Sequence, residues 1–422
     1  EAALRKSLLG GITVIDTSAS YGGGDSERMI GKVLEGLRDD LPARDRLTVV
    51  SKFGFCLDSG STNPSDTGRT LEHCIHPDFM HEELSKSLKR LRTGHLDVLL
   101  VESPEEMVRK RVASVLADPP LGMDPAQALA EAREPLLVEL KRTFEALEQT
   151  VSSGLIGGFG VSCDALVLDE SDPMHLPWRD IMAIANDAAR SAGKARSSFQ
   201  TLRFAVNVME STGVTVAQEA ALHGLRVMSC RPLTIIEPDN TADPAAPPLQ
   251  RRLTSSPDPT GYLEVCAQAL EHFHHEVPDS SQPSAEDIEL VEACRWLQIL
   301  IQDLNRQLPL FRSVEEYQRE LVGITQMLEG KFEALDEDSA ELLHTFFQKY
   351  GDMVRYHCAA QTRAFLTSPL CSSGPHSIKP DTPLQHFALE WALKQSGIAH
   401  VSLGMTHEDQ VDDALAIVKA AS

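Results

Sequence analysis

Asp16, Tyr21 and Lys52 are the residues of this chain whose types and spacing could do chemistry as a set. Asp16 and Tyr21 lie in the stretch 12–32 (ITVIDTSASYGGGDSERMIGK), and Lys52 closes the run 47–52 (LTVVSK). A phenol is a poor proton donor at neutral pH, because its ordinary pKa is about 10. An ammonium beside it favours the phenolate form, and a carboxylate keeps that ammonium charged and oriented. Tyr21 could then protonate an oxygen as hydride reaches the adjacent carbon, with Lys52 tuning it and Asp16 supporting Lys52. An isolated IDT would be the end of a core strand and an isolated SK a surface lysine. It is the combination, in this order, that points to a site.

Such a set needs elements that carry it to one place. Residues 12–16 read as a buried strand, 47–51 as a second and 96–101 as a third. Further strands are expected at 156–162, about 201–206, 225–230 and 400–403. Helices are expected at 2–9, 27–37, 79–91, 135–151, 216–223, 384–395 and 409–420. Strands alternating with helices mean βα units and a parallel sheet, and near-continuous apolar strands mean burial on both faces. The C-terminal ends of such strands converge on one mouth of a barrel. The count is seven strands, one short of a closed (β/α)8 (TIM) barrel, and the chain begins on a helix. The expectation is therefore an α/β barrel whose first strand is missing.

Between about 244 and 380 the strand signals vanish. Helical periodicity runs through 262–273, 285–304, 314–335 and 339–366, with Pro/Ser-rich breaks VPDSSQPS and SSGPHSIKP. This reads as an all-helical insertion, so the expected organisation is barrel units in 1–243, insertion in 244–380 and the last barrel unit in 381–422. Scaffolding, an oligomer contact, or a lid over the mouth are all open roles for it.

At IDT-xxx-Y and S-K the chain resembles the aldo-keto reductase family. The resemblance implies that Asp16, Tyr21 and Lys52 are three members of a catalytic tetrad. Where the family commonly has His at the end of the next strand, this chain has Glu102, in LDVLLVESP. A similar Glu occurs in the family's steroid double-bond reductases. Residues 155–163 (LIGGFGVSC) are similar to the strand whose Ser binds the nicotinamide amide, which implies Ser162, with Cys163 in the place of the usual Asn. Residues 202–210 (LRFAVNVME) put Arg203 where an amide-binding Gln is usual, and HGLRVMSCRPL carries Arg231 in an RPL-type loop. Residues 401–415 (VSLGMTHEDQVDDAL) resemble the adenosine-phosphate site, which implies Gly404, Met405, Thr406 and Gln410 as cofactor contacts. A helix N-terminus next to Gly404 can receive a phosphate through its N–H groups. The resemblance implies NADP as cofactor, with NAD open because Thr406 stands in the place of a frequent Arg.

Composition narrows the alternatives. The 422-residue chain is 42% hydrophobic, enough for a sizeable core, and its net charge is -23. That balance argues against sequence-independent binding of nucleic acid or anionic membrane, which needs a Lys/Arg surplus. The 8 Cys are scattered, as in Cys56, Cys163, Cys266 and Cys371, so a reducing, cytoplasmic setting is the simpler expectation, with an organelle open should a targeting segment precede Glu1. No run of about 20 apolar residues is present. His73, Cys74, His76 and His81 fit no zinc spacing, and 58–65 (DSGSTNPS) reads as turn chemistry with no Gly-Lys-Ser/Thr after it.

The functional expectation is an oxidoreductase passing hydride between a nicotinamide cofactor and a small carbonyl or conjugated C=C substrate. The alternative is a catalytically weak nucleotide-binding barrel with a regulatory or assembly role. Glu102 sharpens the first. Protonated in an apolar pocket, it would donate a hydrogen bond to an enolate-like oxygen and favour enones.

Overall fold

The computed structural model describes residues 1–37, 46–56, 72–120, 122–237, 249–256, 259–274, 285–328, 335–368 and 378–421. They fall into two compact units, residues 1–232 with 389–422, and residues 233–388.

The first unit alternates strand and helix: α1 (Ala2–Leu9), β1 (Val14–Asp16), α2 (Asp25–Gly36), β2 (Thr48–Phe53), α3 (Pro77–Arg90), β3 (Val98–Glu102), α4 (Glu106–Ala117), α5 (Pro125–Ser152), β4 (Phe159–Ser162), α6 (Trp178–Ser191), β5 (Phe199–Ala205), α7 (Thr212–Leu222) and β6 (Arg226–Cys230). Among the described residues these strands form a parallel sheet in sequence order, β1 to β6, joined at the end by a strand near the C-terminus, residues 398–401. Sequential order is the mark of a barrel, since a doubly wound sheet reverses its order at a switch point.

The inner face shows the curvature directly. Val14, Thr48, Val98, Thr201, Arg226 and His400, from six different strands that include both ends of the order, line one common space. Val50, Val98, Leu100 and Met228 pack together there, with Val14 against them. The alternate residues Val49, Leu99, Val101, Phe159, Val161, Leu202 and Val227 face outward into a large core shared with the helices. Inward and outward sets follow the period of two that a strand imposes. The seven expected strands are all present, and the sheet is the nearly closed barrel that they predict.

The remaining elements are β7 (Thr234–Glu237), β8 (Leu249–Arg252), α8 (Tyr262–His272), α9 (Ala285–Gln307), α10 (Val314–Leu328), α11 (Glu337–Thr367), α12 (Leu384–Leu393), β9 (Ile398–Val401) and α13 (Glu408–Ala421). The second unit therefore departs from the all-helical expectation: β7 and β8 pair antiparallel, Thr234 with Arg252 through Glu237 with Leu249. Four residues per strand are too few for periodicity to reveal them. Its helices do form, around a core of Tyr262, Phe273, Leu297, Ile301, Phe346 and Tyr350. Tyr350 is buried because its hydroxyl finds the Leu304 carbonyl at 2.7 Å. The units divide at 232/233 and 388/389, whereas divisions were expected at 243/244 and 380/381. The expected 243/244 boundary, and the turn at 58–65, lie outside the described residues.

Two helices of the barrel unit, α4 and α6, escape a sequence reading. α6 buries Trp178, Ile181, Ala185, Ala188 and Ala189. Its stripe is largely alanine and gives little hydrophobic contrast. α5 was expected over 135–151. It starts ten residues earlier, at Pro125, with the Asp124 carboxylate accepting from the Gln127 N–H, and carries Pro135 in its interior.

Candidate active site

The last inward-pointing residue of each strand forms a rim at the C-terminal mouth of the barrel. Asp16 ends β1, Lys52 lies near the end of β2, Glu102 ends β3 and Ser162 ends β4. Arg203 and Cys230 point inward from β5 and β6. Register brings neighbours side by side: Glu102 pairs with Ser162, and Ser162 with Arg203.

Tyr21 arrives from the loop after β1. The turn Tyr21–Gly24 has left-handed φ at Gly22 (59°), Gly23 (61°) and Gly24 (86°). Side chains with a Cβ rarely adopt those angles, so the glycine triplet lets the chain fold back and present the phenol. Tyr21 is 38% exposed, while Lys52 is fully buried. Lys52 Nζ lies 2.7 Å from Asp16 Oδ1, donates to the Thr17 carbonyl at 2.6 Å and donates to the Tyr21 hydroxyl at 3.2 Å. It also sits 4.5 Å from the centre of the Tyr21 ring. The three residues expected to act together are thus in mutual contact.

Arg203 joins them. Its Nε donates to Asp16 Oδ2 at 2.9 Å, one terminal nitrogen donates to Ser162 Oγ at 3.1 Å, and the other reaches the Tyr21 hydroxyl at 3.4 Å. Burial alone would push the Asp16 pKa up, but the Lys52 and Arg203 cations outweigh it and hold the carboxyl below its usual range. Burial works against the Arg203 charge, but the nearby Cys230 sulfur and the Asp16 and Tyr21 oxygens more than offset it and raise its pKa. Burial pushes the Cys230 thiol up to about 11, so it stays protonated at neutral pH.

Glu102 is 8% exposed, and its surroundings are not apolar as expected. Ser18 and Ser20 donate to its Oε2 at 2.7 and 3.1 Å. Its carbonyl meets His73 Nε2 at 2.7 Å, and the His73 ring packs edge-on against Phe55. A Cβ at Gly54 would stand 2.4 Å from that carbonyl, so only glycine admits the approach. Ser103 follows with φ of 47°, and Arg231, after β6, has 53°. Left-handed non-glycine residues are uncommon and often sit at functional sites. Of the other histidines once weighed as ligands, His76 caps α3 by accepting from the Asp78 N–H.

The remaining cofactor candidates are placed apart from this cluster. Cys163 is buried and donates through Sγ to Glu105 Oε2 at 3.0 Å; burial first, then Glu105, raise its pKa. Arg231 pairs with Glu210 at 2.7 Å and Asp164 at 3.3 Å. Gly404, Met405 and Thr406 follow β9, and Gly404 has open space above it. Gln410 Oε1 accepts from the Thr406 N–H at 2.8 Å and the His407 N–H at 3.3 Å, capping the approach to α13.

These residues fit a nicotinamide dinucleotide in kind. Ser162 and Arg203 supply a hydroxyl and unspent guanidinium N–H groups beside Tyr21. Ser402 Oγ, just past β9, is buried without a hydrogen-bond partner among the described residues. Gly404 leaves room for close backbone approach. Ser18, Ser20 and His73 are the site residues that motif reasoning missed. The signal was available in IDTSASY, where 16, 18 and 20 share one parity.

The sequence model of the aldo/keto reductase family matches residues 1–186. The chain is 31% identical over 105 residues to the aldo-keto reductase YhdN of Bacillus subtilis, covering 25% of this chain and 28% of that protein. It is 25% identical over 162 residues to a 6-dehydroglucose reductase of Agrobacterium fabrum, covering 38% and 42%. The chain thus spans under half the length of these relatives. Among solved structures it is similar to the aldo-keto reductase AKR11C1 from Bacillus halodurans in its holo form, with 14% identity, 99% of this chain and 80% of that chain covered, and a TM-score of 0.44. The match over residues 1–186 and the contact of Asp16, Tyr21 and Lys52 at the mouth of a parallel barrel agree in likening this part of the chain to the aldo/keto reductase family.

Proposed function

We propose that this chain is an oxidoreductase that reduces a small carbonyl compound, or runs the reverse oxidation, with a nicotinamide dinucleotide. The observation that carries the reading is the Lys52–Tyr21 contact of 3.2 Å with Asp16 on the same ammonium. When bound, the dinucleotide supplies the hydride that the carbonyl carbon receives. The chain's own work is at the oxygen. Lys52 and Arg203 both donate to the Tyr21 oxygen, so its own proton is left to point at the substrate. When that proton moves to the substrate oxygen, the phenolate left behind is stabilised by two cations already in place. Asp16 offsets their charge and fixes their positions.

Ser162, Arg203, Gly404 and Met405 are the residues we assign to holding the dinucleotide, with Thr406 and Gln410 shaping its far end. NADP is the favoured form on family grounds. Cys163 is better assigned to supporting the rim, since its Sγ is taken by Glu105; Arg231 pairs with Glu210 and Asp164 through one terminal nitrogen, while its buried Nε has no hydrogen-bond partner among the described residues, so it is kept with the cofactor contacts. Two serine donors on Glu102 favour a carbonyl substrate over an enone, because the oxygen they reach acts as an acceptor. A purely regulatory barrel is the poorer account, as it gives the Tyr21–Lys52–Asp16 contact nothing to do. Among the described residues seven cysteines are free thiols, which accords with a reducing, cytoplasmic setting. No described helix is long and apolar enough to cross a membrane.

The test is a panel of aldehydes and ketones with NADPH and NADH, following cofactor absorbance. Reduction that needs Tyr21 is the expected result; no turnover with any carbonyl and either cofactor overturns the reading.

A further inference from the structure

We propose that Glu102 is a positioning residue: its carboxylate anchors the loop after β1 through two serine hydroxyls and so holds Tyr21 against the cations of the rim. For the part it plays in turnover, the proposal rests on the hydride-transfer reading above. Ser18 and Ser20 donate to Glu102 Oε2 at 2.7 and 3.1 Å. Their hydroxyls stand 2.8 Å apart, and the Ser20 N–H donates to Ser18 Oγ at 3.2 Å. Ser18 is fully buried. The Tyr21 N–H in turn donates to the Ser18 carbonyl at 3.2 Å. Glu102 thus fixes two side chains of a turn, and the main chain of that turn fixes Tyr21.

The anchor and the loop differ in how firmly each is held. Glu102 ends β3 beside Ser162 of β4, His73 Nε2 meets its carbonyl at 2.7 Å, and the next N–H, of Ser103, donates to the Ser162 carbonyl at 2.8 Å. The loop is weaker. Gly22, Gly23 and Gly24 follow Tyr21 directly, and glycine loses more conformational freedom on ordering than any other residue. The brace on that side is an exposed bond from Arg28 to the Gly23 carbonyl, at 3.0 Å. Lys52 donates to the Thr17 carbonyl at 2.6 Å, and the Thr17 and Ser26 hydroxyls meet at 2.9 Å, but these contacts close only the base of the loop. The Glu102 bonds reach the residues next to Tyr21. The phenol has to stay 3.2 Å from Lys52 and 3.4 Å from Arg203, and a drift of about 1 Å would take it out of hydrogen-bond reach of both.

The experiment is a cycle of variants of the full chain, assayed with benzaldehyde and NADPH. Replacing both serines, Ser18→Ala with Ser20→Ala, should lower kcat by roughly 10- to 100-fold and leave KM within about threefold, since a misplacement of about 1 Å costs about 10²-fold. Glu102→Ala should cost as much. Added to the serine pair, it should cost no more than about threefold further, because groups that act as one unit do not add. Glu102→Gln keeps an acceptor oxygen at the same reach and should recover most of the loss. Losses that multiply in the triple variant overturn the proposal, because a side chain acting on the substrate itself works with or without the serines. A Glu102→Gln as slow as Glu102→Ala overturns it too. Hydrogen exchange of residues 17–24, followed without cofactor or substrate, separates the anchor from the hydride reading. Exchange there should quicken by about tenfold or more in Glu102→Ala and in the serine pair alike, with α5 unchanged. That result in a protein that reduces no carbonyl sinks the hydride reading and keeps the anchor. Unchanged exchange in both variants overturns the anchor. Thermal midpoints check folding; were Glu102→Ala to unfold, the serine pair and Glu102→Gln decide.

Discussion

Ser51 and Lys52 are consecutive residues of β2, and they serve two buried carboxylates on opposite faces of the sheet. Ser51 faces the helices and donates to Glu27 at 2.6 Å; Glu27 also holds Arg90 at 2.6 Å and is fully buried. Lys52 faces the barrel interior and holds Asp16, which also holds Arg203. The ingredients are alike: a carboxylate out of water, a basic partner, a hydroxyl within reach. The difference lies in what each cluster leaves over. Arg90 reaches on to Glu83 at 2.5 Å, so the outer network closes on itself and ties α2 to α3 and β2. The inner network ends on Tyr21, which is 38% exposed and has a proton to give. A buried ion pair is a strut when every group is spent within the chain. It becomes a site when one member opens to solvent.

The largest test of that contrast is Tyr21→Phe. It removes the exposed member and leaves both Asp16 ion pairs intact. We expect kcat/KM to fall by about 10²–10⁴, the usual worth of a general acid, with the thermal midpoint unchanged. A variant that keeps full activity would make the inner cluster a strut as well.

Glu27→Ala is the mirror experiment. It strips Arg90 of one partner in a buried place, and we expect the unfolding free energy to drop by about 3 kcal/mol, the lower end of such losses, because Glu83 still holds Arg90. Activity per folded molecule should not change. Denaturant titration read beside initial rates checks both halves.

A smaller effect concerns acid. The Asp16 pKa is held below its unfolded value, so its stabilisation is complete above the ordinary carboxylate range, near 3.9, and is lost as pH falls toward the lowered folded value. Arg203→Met leaves Asp16 with Lys52 as its cation. The folded Asp16 pKa should then move back toward the unfolded value, so the acid loss becomes smaller and ends at a higher pH, which unfolding curves between about pH 2 and 6 would detect. Coincident acid limbs in the two proteins would mean that Arg203 does not share the Asp16 charge.

The smallest concerns Glu105, whose pKa burial raises. Here the sign reverses: the stabilisation is present below the unfolded pKa and is lost as pH rises through the folded one. Glu105→Gln keeps an acceptor for Cys163 without the cost of a buried charge. A slight gain in stability at neutral pH is expected, measured as a small upward shift of the thermal midpoint.

Much of this was legible in the residues. Seven strands announce themselves because a strand buried on both faces writes an apolar run that needs no partner to be recognised. Asp16, Tyr21 and Lys52 announce themselves because their elements follow one another closely along the chain. α6 was silent because alanine makes a faint stripe, and β8 because four residues make no pattern. Arg203 could be placed on its strand, yet its real partner, Asp16, is 187 residues away and is met only across the barrel interior. The surroundings of Glu102 were equally hidden. Ser18 and Ser20 stand more than 80 positions before it, and no local rule links a loop after β1 to the end of β3.

The sequence by itself thus determined the strand–helix alternation, the faces of the strands and the identity of the proton-donating set, because each depends on neighbours within a few residues. Only the tertiary structure decided which charges share a partner. Closing a sheet brings the inward residues of different strands together, so one guanidinium could be set on Asp16, Tyr21 and Ser162 at once and two serines on Glu102. Those contacts are long-range by nature, and they turn a row of strand ends into a site.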